Sequence, residues 1–89
     1  MKDCTSRHLT SADANSTVTI DDEQLTLDHI TINNTSAYAL TVKDGAGNTI
    51  AILKASIVES TYWYNVPCVK GIQITVPTGY VGDATICYR

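Results

Sequence analysis

Three features of the sequence predict an all-β fold, a small jelly-roll-like antiparallel β-sandwich of about seven short strands with an extended N-terminal arm. The last third of the chain holds three runs in which apolar residues alternate with polar ones, over residues 61–66, 71–76 and 84–89. Pro67, Gly71, Pro77, Gly79 and Gly82 punctuate them, as turns punctuate successive antiparallel strands. On the middle run Ile72, Ile74 and Val76 share one face and Gln73 and Thr75 the other, the period of two that one-sided burial requires.

The 89 residues make one domain. A domain of this size buries only roughly 60–65% of the surface its unfolded chain exposes, so added burial from a partner, a disulfide or self-association is expected. Six Lys and Arg against nine Asp and Glu give a net charge of −3, which argues against nucleic acid as a ligand. No apolar run approaches the ~18 residues of a membrane span and the first residues lack an apolar signal region, so a cytosolically made chain with no membrane partner is expected. Cys4, Cys68 and Cys87 are too few and too scattered for a disulfide framework. Cys68 and Cys87 read as small core hydrophobes, with a Cys68–Cys87 bridge as the alternative, and Cys4 as exposed.

Taken in order, residues 1–16 carry one large aliphatic side chain after the initiator, Leu9, and read as an arm. Lys2, Arg7 and His8 make it slightly basic, fit to dock on an acidic or polar surface. The β-sandwich domain then spans residues 17–89. Val18 and Ile20 alternate with Thr17 and Thr19 in a first strand, and Asp21-Asp22-Glu23 closes it as a loop. Leu25 and Leu27, then Ile30 and Ile32, continue the apolar spacing, with a change of parity that predicts a bend or bulge near Asp28-His29. A short helix over residues 21–28 is the competing reading. Asn33-Asn34-Thr35-Ser36 is a turn by composition. Tyr38, Leu40 and Val42 then share a strand face, and residues 44–48 form a hairpin turn in which Gly45 and Gly47 supply positive φ, leading to Ile50–Leu53 in alternation. Ile57 and Val58 are a possible brief edge strand.

Local chemistry is sparse. His8 and His29 have no H-x-x-H, H-E-x-x-H or C-x-x-C companions, so no metal site is expected from spacing. A Cys–His nucleophile pair has no third, orienting group in view, and no acid, base and nucleophile set points to an enzyme. Asp21, Asp22, Glu23 and Asp28 lack calcium-loop grammar, the glycine-rich turn lacks a phosphate-loop ending, and three Asn-x-Ser/Thr matches carry no meaning without a secretory route. No cofactor is expected. The aromatic cluster Tyr62-Trp63-Tyr64 must split across a strand. If Tyr62, Tyr64 and Val66 face the core, Trp63 stands outside with Thr61 and Asn65, as a contact anchor or beneath a covering loop or arm.

The T-Y-x-Y-x-V-P strand at residues 61–67, the G-I-Q-I-T-V strand at 71–76, and the terminal G-D-A-T-I-x-Y-R together resemble the C-terminal half of small cement or decoration proteins of tailed bacteriophages. The I-T-I-N-N-T, A-L-T-V-K-D-G and I-A-I-L runs over residues 30–53 fit the same group, so the resemblance covers residues 30–89. Cys68 departs from the pattern, in which a large apolar residue follows V-P. The resemblance implies a non-enzymatic virion protein on the outer head surface, a homotrimer that clamps major capsid protein subunits. Candidate contacts under that reading are Lys2, Arg7, His8 and Leu9 of a clamp arm over residues 1–10, with Trp63 and Tyr88 on the domain. The alternative is a carbohydrate- or receptor-binding module built on Trp63, or a connector or tail subunit of the same virion.

Overall fold

The computed structural model describes residues 4–89. Eight strands, β1 (Thr5–Leu9), β2 (Ser16–Ile20), β3 (Leu25–Asn34), β4 (Leu40–Asp44), β5 (Thr49–Leu53), β6 (Thr61–Cys68), β7 (Ile72–Val76) and β8 (Asp83–Tyr88), form two antiparallel four-stranded sheets. The orders are β1-β8-β3-β6 and β2-β7-β4-β5, the arrangement of a jelly roll. The three runs of the last third are antiparallel strands, but β6, β7 and β8 lie alternately in the first, second and first sheets. Only β4 and β5 are consecutive strands paired with each other, through the hairpin at residues 44–48. The competing helix over residues 21–28 does not form; as the strand reading has it, Leu25 and Leu27 belong to β3 and pair with β6. Residues 57–58 form no strand, and Val58 is exposed.

The core lies between the sheets. Val18, Ile20, Leu27, Ile30, Ile32, Leu40, Val42, Leu53, Ile72, Ile74, Val76 and Ile86 fill it, each contributing about 1.5–3 kcal/mol by leaving water. Cys68 is buried among them, Cys87 is half-buried, and all three cysteines are free thiols, so the bridge alternative is not realised. The accessible surface of 4890 Å² is close to the roughly 5,100 Å² expected of a folded 9.6 kDa chain.

The arm expected over residues 1–16 is corrected from Thr5 onward, residues 1–3 lying outside the described residues. Residues 5–9 run antiparallel along β8, from Thr5 opposite Tyr88 to Leu9 opposite Ala84, and Leu9 is fully buried. Composition under-reads this segment because an edge strand is held largely by its main-chain ladder. A 3₁₀ turn at Ser11–Asp13 then carries the chain to the second sheet. Thr10 caps it, accepting from Ala12 N at 3.2 Å, while the Thr10 amide donates to Asp13 at 3.0 Å.

Asp44 organises the end of the sandwich where the hairpin sits. Its side chain is buried and accepts from the amides of Ala46 (3.0 Å) and Asn48 (2.8 Å) and from Asn48 Nδ2 (3.0 Å). Gly45 is required for closeness rather than for positive φ. A Cβ there would lie 1.9 Å from the Lys70 carbonyl oxygen, where the hairpin abuts the β6–β7 turn.

Two outcomes follow. Leu9→Ala lowers unfolding free energy by about 2–5 kcal/mol in urea titration, whereas a free arm would leave it unchanged. The hydrogen bonds from Asn48 hold the Asp44 carboxyl below its ordinary pKa. Its contribution is therefore full above the unfolded-state value of about 4 and is lost as pH falls through the lower folded-state value. Asp44→Asn is less stable at neutral pH, with a flatter decline below about pH 4.

Candidate functional site

The outward face of the β1-β8-β3-β6 sheet carries the densest set of polar and aromatic groups, and a bulge in β3 builds it. Leu27 and Ile30 are both fully buried although three residues apart, so one of the two residues between them is extra to the alternation. Leu27 and His29 pair with the adjacent residues Tyr88 and Cys87 on β8, which leaves Asp28 as the inserted residue. On the other side the same two residues pair with Val66 and Trp63, and Asn65 takes the left-handed conformation at φ 52° to absorb the mismatch. Asp28 and His29 thus both escape the core, as the change of parity in the sequence predicted.

Asp28 is the centre of the resulting network. One carboxylate oxygen contacts His29 Nδ1 at 2.6 Å and Cys4 Sγ at 3.4 Å, and the other accepts from Arg89 Nε at 3.2 Å. Arg89 also donates to Asn65 at 2.6 Å. The hydrogen bond from His29 is the main cause holding the Asp28 carboxyl below its ordinary pKa. An ionised carboxylate only accepts, so His29 Nδ1 carries the donated proton. The His29 ring packs on Trp63 with centroids 4.4 Å apart and planes tilted by 42°. Trp63 stands outside at 72% exposure, as Tyr62 and Tyr64 turn toward the core. Register places Ser6, Cys87, His29 and Trp63 in one row across the four strands, and His8, Thr85, Thr31 and Thr61 in the next. The Thr31 and Thr61 hydroxyls are 3.0 Å apart.

One ring nitrogen of His29 and the sulfurs of Cys4 and Cys87 all lie within 4.8 Å of one another. Sequence spacing missed this grouping, since the three donors come from the start of the chain, the β3 bulge and β8. The Cys4 thiol is held above its ordinary pKa, first by desolvation and then by the Asp28 carboxylate accepting its proton. It is not the activated thiolate that nucleophilic catalysis requires.

The sequence-predicted contact residues separate. Trp63 is exposed as an anchor would be. Leu9 is removed from the set, because its side chain is in the core. Arg7 is half-buried and tied to Asp13 at 3.0 Å, and His8 pairs with Asp83 at 2.5 Å on the outer face. Tyr88 packs against the core. Lys2 lies outside the described residues.

No protein-family model matches the chain, and no curated protein matches it in sequence. In structure it is similar to the Drosophila NLP core, whose crystal structure provides insight into that protein's pentamer formation and histone binding. The TM-score is 0.66 with 16% sequence identity, over 99% of this chain and 97% of that one. At that identity the likeness establishes the β-sandwich fold, in agreement with the topology above.

Trp63 is the single tryptophan, so tryptophan emission excited away from the five tyrosines reports this face alone. The expected emission of the isolated subunit is red-shifted and readily quenched by acrylamide. Trp63→Ala changes unfolding free energy by less than about 1 kcal/mol in urea, against the larger loss for the buried Leu9.

Proposed function

We propose that the chain is a non-enzymatic assembly subunit, a decoration protein that binds the outer surface of a phage head and steadies neighbouring major capsid protein subunits. The observation that carries this reading is Trp63, 72% exposed on edge strand β6. A tryptophan is the residue type that most often dominates binding energy when a partner covers it. Around it the threonine, histidine and carboxylate rows supply hydrogen-bonding groups suited to a polar rim. The resemblance of residues 30–89 to cement proteins supplies the partner, and the head surface follows from it as the location.

Self-association belongs to the same reading. The expected state is a homotrimer. The Drosophila NLP core, with the same sandwich, concerns a pentamer, so the fold is compatible with closed rings of identical subunits. A carbohydrate module is the less favoured reading for a specific reason. Tyr62 and Tyr64 turn inward, so Trp63 has His29 rather than a second aromatic residue of β6 beside it.

The expected outcome of light scattering on the eluting protein is a mass of three subunits of 9.6 kDa each, and that of sedimentation is recovery with the capsid shells. Trp63→Ala weakens shell binding at least ~10-fold, the loss of an anchor worth more than about 1.4 kcal/mol. A monomer that ignores the shells contradicts the proposal, and quenching of Trp63 by glycans in that monomer establishes the binding module instead.

A further inference from the structure

We propose that Cys4, His29 and Cys87 supply three ligands of a zinc site that clips the start of β1 to β8 and β3, with a water completing the tetrahedron. The donor atoms are mutually within 4.8 Å. A tetrahedral zinc ion with Zn–S of about 2.3 Å and Zn–N of about 2.0 Å needs sulfur–sulfur and sulfur–nitrogen separations of roughly 3.5–3.8 Å. Closure of at most about 1.3 Å brings the set to that geometry. One of the three, Cys4, is exposed and precedes the first strand, so its side chain has freedom to make the adjustment.

The chemistry of the set selects the ion. Two thiols and an imidazole are soft to borderline donors that favour zinc over calcium or magnesium, which take oxygen ligands. Asp28 stands beside two of the donors, 2.6 Å from His29 Nδ1 and 3.4 Å from Cys4 Sγ. Metal sites characteristically set a carboxylate against a ligating histidine in this way, fixing the ring and adding negative charge near the cation. Arg89, bonded to the far oxygen of Asp28, faces the same group and holds that carboxylate in place. Binding replaces the two thiol protons: Zn²⁺ and two Cys–SH give a dithiolate site and two protons to solvent.

The site also answers a structural need. Small domains often add a metal or disulfide to a limited core, and β1 is an edge strand whose start, among the described residues, is tied to β3 by the Cys4–Asp28 contact. The only described side-chain link from Cys4 runs to Asp28, at the same bulge. A metal there joins residues 4, 29 and 87 of the chain, closing nearly its whole length. This inference is independent of the capsid reading, since it concerns what holds the subunit's own strands.

Cobalt(II) titration of the full-length protein, kept reduced and with three thiols counted beforehand, tests it. The expected result is one equivalent bound, with thiolate-to-cobalt charge transfer and the intense visible bands of a tetrahedral site, all bleached by zinc. Fluorescence of Trp63 is quenched in step, because cobalt binds the ring stacked on it. Cys4→Ser and Cys87→Ser each lower cobalt affinity by at least ~100-fold, while His8→Gln, outside the donor set, leaves it unchanged. Cys4 is exposed, so its variant keeps the fold and isolates the ligand effect. Octahedral, pale spectra in the wild type, or equal binding by Cys4→Ser, Cys87→Ser and the wild type, overturn the site.

Discussion

Asp28 is the extra residue where β3 passes between β6 and β8, and the outer face of the first sheet depends on that insertion. Without it, strict alternation would turn either Asp28 or His29 toward the core, or else shift Ile30 and Ile32 out of it. The bulge lets Leu27 and Ile30 both remain buried while two polar residues reach solvent side by side. From that one irregularity follow the Asp28–His29 contact, the seat for Arg89, the stacking of His29 on Trp63, and the approach of Cys4. The interrupted ladder is accommodated by a left-handed Asn65 opposite, and the ion pair from Arg89 offsets part of the cost.

Sheet topology supplies the second condition. In a jelly roll the first and last strands lie beside each other, so the two ends of the chain meet. Cys4 at the start and Cys87 and Arg89 at the end therefore converge on a residue from the middle of the sequence. The inner face packs the aliphatic core and the second sheet closes over it, leaving Trp63 on the outer face of the first sheet outside the core. Trp63 on that face contributes little to the fold, and its exposure points to contacts made outside the subunit.

Much of this was legible in the residues. Alternation located seven of the strands, and the parity change between Leu27 and Ile30 located the bulge. The placement of Trp63 outside followed from putting Tyr62 and Tyr64 inside. What escaped was non-local. Strand β1 carries a single aliphatic residue, Leu9, and its pairing with β8 rests on main-chain hydrogen bonds that side-chain composition does not record. The Cys4–His29–Cys87 grouping has no spacing signature because its members are neighbours only after three strands are brought together. Gly45 was read for its backbone freedom and serves instead to let two turns touch. The order of strands within sheets was likewise beyond local pattern, since successive strands mostly cross from one sheet to the other.

The central claim is that the outer face of the β1-β8-β3-β6 sheet is the working surface. Hydrogen–deuterium exchange read by mass spectrometry, with the subunit free and then in its assembled state, tests it most directly. The account predicts slowed exchange in peptides covering β6 and the Asp28–His29 bulge of β3, with the second sheet unchanged. Protection confined to β2 and β5, at the edges of the second sheet, would contradict it.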